Sequence, residues 1–507
     1  MPDYMYQLES RLSAEQRAAM LRIQELALAS EANLYLAGGA VRDLISGMPI
    51  RDLDFTVEGN PSRIVRELEK GGAQVTREDE SLRSMELVLA GEVDASISAA
   101  RDDVYARPGA KSEVHFSTVM QDLKRRDFSI NAIAISLNAN SRGLLLDPTN
   151  GLADLERREI RALSIHSFTN QPVRLLRALR YAARMDFKMD SRTAEWFQLA
   201  MERKLQETIS EEDSGSELRQ AAREEKPVAV LKAWESHGLL DTLHPQLAKR
   251  HPDYEAMNRI TRVREDMVAA GFRLRLVAPI TMAILGRLKD RERAAVLARM
   301  NLRAAERRAV EALESESLKV VKLLAGPKTA SIRDAYAFLE KTPLDFLGYI
   351  LAESSNGKAV GKIRNYLNKW RPLRQALSGV AVELEALGLE RGAKFDKVLE
   401  DFFQAQLLGR ARKPEDHVKV LRKLAGIKEP PKKIEEKKKP EKPKKKGSPG
   451  SHPEAPTPAE PARAKGATPA AHPAPAKEPP RKSDSGHAPA KAAAKSGPKK
   501  KSHGKKK

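Results

Sequence analysis

The sequence of 507 residues contains no cysteine, so disulfide bonds and thiolate chemistry are both excluded. This absence is compatible with a reducing compartment, and we expect the protein in the cytoplasm. No run of about 18 apolar residues occurs, and the N-terminal stretch MPDYMYQLES lacks the pattern of a signal peptide. We therefore expect neither a membrane span nor a secretory signal. Aromatic residues are scarce at 5%, whereas charged residues reach 31%, which favours a helical, highly solvated protein.

The positive charge is concentrated in the last 80 residues of the chain. Residues 428–507 carry 23 Lys and Arg against 8 Asp and Glu, a net charge of +15, whereas the whole chain has +21. This tail is rich in Lys, Pro, Ala, Gly and Ser and offers almost no large apolar side chain for burial, so we expect it to be disordered. Its charge suits affinity for RNA phosphates and a simple solubility extension equally well.

The pattern of apolar residues divides the rest of the chain into two parts. Short β-prone segments, bounded by glycine or charged turns, occur at 33–37, 53–57, 72–76, 84–90 and 92–98. They predict a mixed α/β domain with a small sheet over residues 1–150. Helical patterns without a fixed repeat follow at 171–187, 191–208, 228–238, 255–270, 275–288, 303–324, 328–340, 342–354, 358–387, 394–409 and 414–425. The predicted fold class is therefore α+β, with an all-α region after the sheet domain.

Two carboxylates alternate with apolar residues on the second predicted strand. Asp52 and Asp54 point to one face of the sheet, because side chains two residues apart on a strand share a face. Like charges this close repel each other unless a cation lies between them, and Mg²⁺ is typically held by one or two carboxylates together with substrate phosphates. The pair therefore predicts a Mg²⁺ site. Asp94, on a neighbouring strand, is a candidate third carboxylate, although a lone strand Asp is more often simply solvated.

Two further segments suggest contacts with a nucleotide. The first predicted strand ends at Gly38 and Gly39, where the backbone can approach a phosphate at a helix N-terminus, and Arg42 on the first turn can add a bidentate contact. A glycine pair alone, however, usually marks a tight turn. In RRDFSINAIA (125–134), Asp127 lies four residues before Asn131, so the two side chains share a face if the segment is helical.

A third segment, FTNQPVRLLRALR (168–180), places an arginine at every third position. Arg174, Arg177 and Arg180 form a broad stripe on one predicted helix, drifting by about 60° per step. Such a stripe suits a triphosphate and a base edge better than a single ion pair. The alternative is a solvated helix face, which the interspersed leucines argue against.

Five motifs together resemble the family of class II tRNA nucleotidyltransferases and bacterial poly(A) polymerases. They are GGAVRD (38–43), RDLDF (51–55), RRDFSINAIA (125–134), DPTNGLADL (147–155) and PVRLLRALRYAARMDF (172–187). The resemblance implies a nucleotidyltransferase head at 1–150, neck helices at 151–275, a body and tail at 276–427, and the basic extension at 428–507. It implies that Asp52 and Asp54 bind metal. The implied nucleotide-binding residues are Gly38, Gly39, Arg42, Arg126, Asp127, Gln171, Arg174, Arg177 and Arg180.

The sequence departs from the family at one position that matters for base selection. Two acidic residues precede the proline of the arginine helix in the family, where this chain has Asn170 and Gln171. The second acid acts with the following arginine as a template for the base. A carboxylate only accepts hydrogen bonds and so rejects uracil O4 and guanine O6, whereas an amide both accepts and donates. The departure puts base selectivity in question more than it does the transfer chemistry.

The resemblance implies addition of CMP and AMP, from CTP and ATP, to the 3′ end of tRNA with release of pyrophosphate. Complete CCA addition and addition of only part of it both remain open. A poly(A) polymerase and a non-catalytic RNA-binding relative are the alternatives. The sequence leaves the oligomeric state open.

Overall fold

A computed structural model describes residues 3–105, 113–272, 276–411 and 414–427. The tail predicted to be disordered, 428–507, lies outside the described residues. The strands are β1 Asn33–Ala37, β2 Leu53–Glu58, β3 Gln74–Asp79, β4 Ser84–Leu89, β5 Val93–Ala99, β6 Arg101–Val104, β7 Glu113–Phe116, β8 Ala134–Ser136, β9 Leu145–Leu146, β10 Glu159–Ile160 and β11 Lys188–Met189.

Helices cover most of the chain after the sheet. The helices up to residue 250 are α1 Tyr4–Arg11, α2 Ala14–Ala29, α3 Gly39–Ile45, α4 Ser62–Lys70, α5 Val119–Lys124, α6 Gly151–Arg157, α7 Ser167–Asn170, α8 Arg174–Met185, α9 Ser191–Glu202, α10 Glu211–Arg223, α11 Pro227–Ser236 and α12 Pro245–Arg250. Those that follow are α13 Tyr254–Ala269, α14 Val277–Leu285, α15 Asp290–Arg299, α16 Ala304–Ala325, α17 Ile332–Glu340, α18 Leu344–Glu353, α19 Gly357–Asn365, α20 Arg371–Gln375, α21 Leu377–Ala386, α22 Ala393–Leu407 and α23 Pro414–Ala425. The α+β fold class is confirmed, while the domain boundaries stay predictions.

The five predicted strands all belong to one seven-stranded sheet in the order β3-β4-β5-β2-β1-β8-β9. Strand β2 pairs antiparallel with β1 and parallel with β5, and β4 and β5 form an antiparallel hairpin. The antiparallel pairing brings the end of β1 beside the start of β2, and the parallel pairing brings the start of β5 there too. The end of β1 and the starts of β2 and β5, which are separated in the sequence, therefore meet at one end of the sheet.

Alternation along β2 separates an apolar face from a polar one. Leu53, Phe55 and Val57 are buried in the main hydrophobic core. Helices α2 and α4 pack against each other, and α2 also contacts β1 and β5. Since side chains on a strand alternate between its two faces, the residues between these three point to the opposite side, where Asp54 shares a cavity with residues of α8 and α10.

The region after residue 150 differs from the sequence prediction in several places. Helices α6, α7, α12 and α15 were not predicted, and the two short strands β10 and β11 lie within the region predicted to be all-α. The helix predicted over 358–387 is divided into α19, a π-helical turn at Tyr366–Trp370, α20 and α21. Helix α10 was not predicted at all, because its sequence EEDSGSELRQAAR is polar and contains Ser and Gly, which are poor helix formers. Gly215 explains why the helix packs closely: a Cβ there would lie 2.1 Å from the carbonyl oxygen of Arg299 at the end of α15.

Candidate nucleotide-binding site

The turn between β1 and α3 requires glycine at both positions predicted from the sequence. Gly38 has a φ of +68°, which favours glycine, and its N–H donates to the carbonyl oxygen of Ile133 at 3.1 Å. A Cβ on Gly38 would lie 2.7 Å from Nη1 of Arg126, and one on Gly39 would lie 3.2 Å from Oδ2 of Asp54. The glycine turn therefore lies directly against the carboxylate strand.

Asp52 and Asp54 face the same side of the sheet, as predicted. The hydroxyl of Ser96, opposite on β5, donates to Oδ1 of Asp54 at 2.8 Å. Burial, and then the negative charge of Asp52, raise the pKa of Asp54 to about 6. A buried carboxylate with a second carboxylate beside it is a donor set that suits a hard divalent cation, with phosphate oxygens completing the coordination. The residues present therefore fit a divalent metal ion.

Asp94 is bound by two arginines, one of which also lies beside Asp52. Its Oδ2 accepts a hydrogen bond from Nη2 of Arg223 at 2.8 Å, and its Oδ1 accepts one from Nη1 of Arg303 at 2.5 Å. Nη2 of Arg223 also lies 3.5 Å from Oδ1 of Asp52. Within the described ranges, no group of three or more His, Asp or Glu side chains is arranged to hold a metal ion. In the structure Asp94 is therefore engaged by two arginines, and its role as a third metal ligand stays a prediction.

Arg42 is buried within the protein, although it lines the cavity described below. Its Nε and Nη2 donate to Oδ1 of the adjacent Asp43 at 2.9 and 2.8 Å, and its Nη1 donates to Oδ1 of Asn131 at 2.7 Å. Its guanidinium also stacks over the ring of Tyr181 at 4.9 Å. Two donors of Arg42 thus converge on one oxygen of Asp43, and a bidentate contact of Arg42 with a phosphate stays a prediction.

The guanidinium of Arg126 lies against the glycine turn. Its Nε and Nη2 donate to Oδ2 of Asp122 at 3.1 and 2.9 Å, and its Nη2 also donates to the hydroxyl of Thr56 at 3.1 Å. Asp122 is fully buried; burial would raise its pKa, but Arg126 and Arg125 lower it below its usual value. In this geometry Arg126 contacts the backbone beside the glycine turn. Its direct contact with a nucleotide stays a prediction. Asp122 was missed, although its spacing of three and four residues before two arginines was a signal.

Asp127 and Asn131 meet, but not on an α-helix. A 3₁₀ turn at Ser129–Asn131 lets Nδ2 of Asn131 donate to Oδ1 of Asp127 at 3.0 Å. The other carboxylate oxygen of Asp127 accepts from Nη1 of Arg177 at 3.1 Å. Burial would raise the pKa of Asp127, yet Arg177 and Arg174 lower it below its usual value. Asp127 is therefore an ionised link between the sheet domain and helix α8.

The arginine stripe of α8 is paired with two carboxylates, Glu217 on α10 and Glu224 directly after that helix. Nε of Arg177 and Nε of Arg180 donate to the two oxygens of Glu217 at 2.7 and 2.9 Å, and Nη1 of Arg180 donates to Oε1 of Glu224 at 2.8 Å. Burial would raise the pKa of Glu224, but the arginines around it lower the pKa to about 2. Both glutamates were missed with the helix that carries them.

The stripe also continues one turn beyond its predicted end. Nη2 of Arg184 donates to Oδ2 of Asp43 at 2.7 Å, and its Nε lies 3.6 Å from Oε2 of Glu224. Arg184 stands four residues after Arg180 on the same helix, so helical spacing alone could have identified it.

Gln171 and Arg174 lie side by side at the start of α8. Arg174 Nε donates to Oε1 of Gln171 at 3.0 Å, which leaves the amide NH₂ to donate to the hydroxyl of Tyr105 at 2.6 Å. Since a guanidinium only donates, this contact fixes which end of the amide faces Arg174. Both hydrogen-bonding ends of the predicted template residue are thus engaged in the structure.

A cavity of about 330 Å³ lies between the carboxylate strand and the arginine helix. This volume is of the order of small-ligand sites, roughly 300–1,000 Å³. Seven arginines and five carboxylates line it, namely Arg42, Arg51, Arg77, Arg177, Arg180, Arg184 and Arg219, and Asp43, Asp52, Asp54, Glu86 and Glu217. Gly39 lies at its wall, whereas Arg126, Asp127, Gln171 and Arg174 lie outside the lining. The cavity therefore presents acidic groups for a cation and arginines for phosphates.

Comparison with known proteins agrees with the resemblance that the sequence motifs indicated. A sequence profile described as the poly A polymerase head domain matches residues 34–161. An A-adding tRNA nucleotidyltransferase of Halalkalibacterium halodurans is 29% identical over 415 residues, which cover 81% of this chain and 92% of that protein. These two matches support the resemblance to the family of class II tRNA nucleotidyltransferases and bacterial poly(A) polymerases that the five motifs indicated.

Other family members match shorter segments. An A-adding tRNA nucleotidyltransferase of Aquifex aeolicus is 34% identical over 209 residues, 41% of this chain and 25% of that protein. A CC-adding tRNA nucleotidyltransferase of Deinococcus radiodurans is 37% identical over 156 residues, 31% of this chain and 42% of that protein. The chain thus spans a quarter to less than half of these two relatives. Across the ranges that the structure describes, no helix has both the length and the apolar character needed to cross a membrane.

Proposed function

We propose that the protein transfers nucleotidyl groups from ATP and CTP to the 3′ end of tRNA and releases pyrophosphate. The observation that carries this proposal is the cavity in which Asp52 and Asp54 face Arg177 and Arg180. A nucleoside triphosphate needs both a cation site and several guanidinium groups, and the cavity offers both. The relatives named above are A-adding and CC-adding tRNA nucleotidyltransferases, which supports tRNA as the acceptor.

In the proposed reaction the 3′ oxygen of the acceptor forms a bond to the α-phosphorus, and the bond from that phosphorus to pyrophosphate breaks. Divalent metal, which we propose to be Mg²⁺ held by Asp52 and Asp54, would activate the hydroxyl and neutralise the departing pyrophosphate. The glycine turn allows the phosphates to approach the backbone. Arg177 and Arg180 face the phosphates, and Glu217 keeps these two guanidiniums in place. This chemistry requires no side-chain nucleophile.

We propose further that Gln171 and Arg174 contact the base. The amino groups of cytosine and adenine are donors that an amide oxygen accepts, and an arginine donates to the adjacent ring nitrogen. In the structure these two side chains hydrogen-bond to each other, so a base would exchange that contact for its own. The amide NH₂ could also donate to a carbonyl, which weakens the rejection of uracil.

Incubation of the protein with Mg²⁺ and single nucleotides tests the proposal. Three acceptors are compared: tRNA transcripts that end before CCA, transcripts that end in CC, and an unrelated RNA of equal length. We expect incorporation only on the tRNA transcripts. CTP use on the first and ATP use on the second indicate full CCA addition, and use of one nucleotide alone indicates a half-enzyme.

Long runs of AMP on the unrelated RNA would instead support the second candidate, a poly(A) polymerase. That candidate is favoured by the profile that matches residues 34–161, which is described by that activity. Binding of tRNA without any release of pyrophosphate would contradict both catalytic functions.

A further inference from the structure

The end of helix α10 places two opposite charges at adjacent buried positions. Arg223 is the last residue of the helix and Glu224 follows it; they are 7% and 1% exposed. No ion pair joins them to each other among the pairs found in the described ranges. Each reaches a different, oppositely charged wall of the cavity described above.

Arg223 reaches the acidic wall. Its Nη2 lies 2.8 Å from Oδ2 of Asp94 and 3.5 Å from Oδ1 of Asp52, so it places a positive charge beside the proposed metal ligands. A fixed cation at this distance lowers the affinity of a carboxylate for a second cation, because the two positive charges repel each other.

Glu224 reaches the basic wall. Its Oε2 accepts from Nη1 of Arg51 at 3.0 Å and lies 3.6 Å from Nε of Arg184, while its Oε1 accepts from Nη1 of Arg180 at 2.8 Å. Three guanidiniums around one carboxylate form the kind of arrangement that binds a phosphate group. All three of these arginines line the cavity, whereas Glu224 contacts them from behind its wall.

A purely structural ion pair would join α10 to one neighbouring element. Here two consecutive residues divide between the two walls, and four of their partners, Arg51, Asp52, Arg180 and Arg184, line the cavity. The two residues therefore place a positive charge beside Asp52 and a negative charge among three arginines of the cavity lining.

We propose that Arg223 and Glu224 are built-in counter-ions of this site, the first standing in for a metal ion and the second for a phosphate. They neutralise the charged groups that they contact, and they lower the affinity of the site for either ligand alone. The inference rests on the proposed function, because it assigns Asp52 to a metal and the arginines to a triphosphate.

The test is ligand binding to the full-length protein without RNA or turnover. Isothermal titration calorimetry measures Kd for Mn²⁺ with Arg223→Gln and Kd for inorganic pyrophosphate with Glu224→Gln. We expect each Kd to fall about tenfold relative to the wild type, since each variant removes a charge of the same sign as the ligand. The matched controls are Lys226→Gln and Glu225→Gln, which make the same charge changes at exposed neighbouring positions and are expected to leave both constants unchanged.

Unchanged or higher Kd values in the two buried-site variants would overturn the counter-ion proposal while leaving the proposed function intact. Failure of the wild type and of all variants to bind either ligand would overturn the proposed function, and this inference with it. If a glutamine variant does not fold, hydrogen exchange of the wild-type protein decides. Displacement of the counter-ions predicts faster exchange of the amides around residues 223–225 when Mn²⁺ and pyrophosphate are bound together. Unchanged or slower exchange contradicts it.

Discussion

Glu217 is the side chain that joins the two central arginines of helix α8, and its replacement tests the buried network most sharply. Its two oxygens accept hydrogen bonds from Arg177 at 2.7 Å and from Arg180 at 2.9 Å, and the residue is only 3% exposed. Glu217→Gln keeps the shape but removes the charge. The amide can then accept at one end only and turns a donor toward a guanidinium.

The expected loss follows from the partners that remain. Removal of one member of a buried ion pair typically costs about 3–5 kcal/mol, because it leaves an uncompensated charge. Arg177 keeps Asp127 at 3.1 Å and Arg180 keeps Glu224 at 2.8 Å, so neither guanidinium is left without a carboxylate. We therefore expect the lower end of that range, a loss of about 3 kcal/mol in the free energy of unfolding.

Urea unfolding at pH 7, followed by circular dichroism, measures this loss. Glu212→Gln is the matched control: Glu212 lies on the same helix and pairs with Arg77 at 3.3 Å, but its side chain is 70% exposed. An exposed pair contributes about 0–1 kcal/mol. Equal losses in the two variants would refute the reasoning that burial makes Glu217 important.

The pH dependence gives a second check on Glu217. Burial would raise its pKa, but Arg180 and Arg177 lower it below its usual value of 4.5. A lowered pKa stabilises the fold above the unfolded-state pKa, and that stability is lost as the pH falls through the folded-state value. The difference between wild type and Glu217→Gln should therefore be full at pH 7 and shrink below about pH 4.5. A difference that stays constant into acid would contradict an ionic origin.

Two further predictions concern Asp345 and Gln171. Burial raises the pKa of Asp345 from 3.8 to about 6, so its protonated form stabilises the fold below about pH 4, and this advantage is lost as the pH rises through 6. Asp345→Asn should therefore raise the free energy of unfolding by about 2 kcal/mol at pH 8 and leave it unchanged at pH 4. An equal effect at both pH values would contradict the pKa assignment. Gln171→Asp removes the amide donor, so incorporation of UTP relative to ATP and CTP should fall severalfold, which corresponds to the loss of about one hydrogen bond. An unchanged preference would show that this side chain does not contact the base.

The features that sequence predicted well are those that depend on neighbours along the chain. The alternation of β2 follows from the pleat of any strand, so Asp52 and Asp54 could be placed on one face before the structure was known. The glycine turn was equally local, because the positive φ of Gly38 and the short helix after it are properties of a few consecutive residues.

The features that sequence missed depend on partners far along the chain. Helix α10 has few apolar residues, and its stability comes from packing on α15 and from ion pairs with α8 rather than from local propensity. For the same reason the partners of Arg42 and Arg126 were unexpected. Each arginine can bind a phosphate or a carboxylate, and only the folded structure shows that Asp43 and Asp122 are already in place.

The central claim is that Asp52 and Asp54 hold the metal for nucleotidyl transfer to tRNA. The most direct measurement is pyrophosphate release with Mg²⁺, ATP or CTP, and tRNA transcripts that lack terminal nucleotides, for the wild type, Asp52→Ala and Asp54→Ala, with Asp102→Ala at an exposed position as control. We predict release by the wild type and the control, none by the two site variants, and similar tRNA binding by all four. Retained turnover in both site variants, or no turnover by the wild type on any acceptor, would contradict the claim.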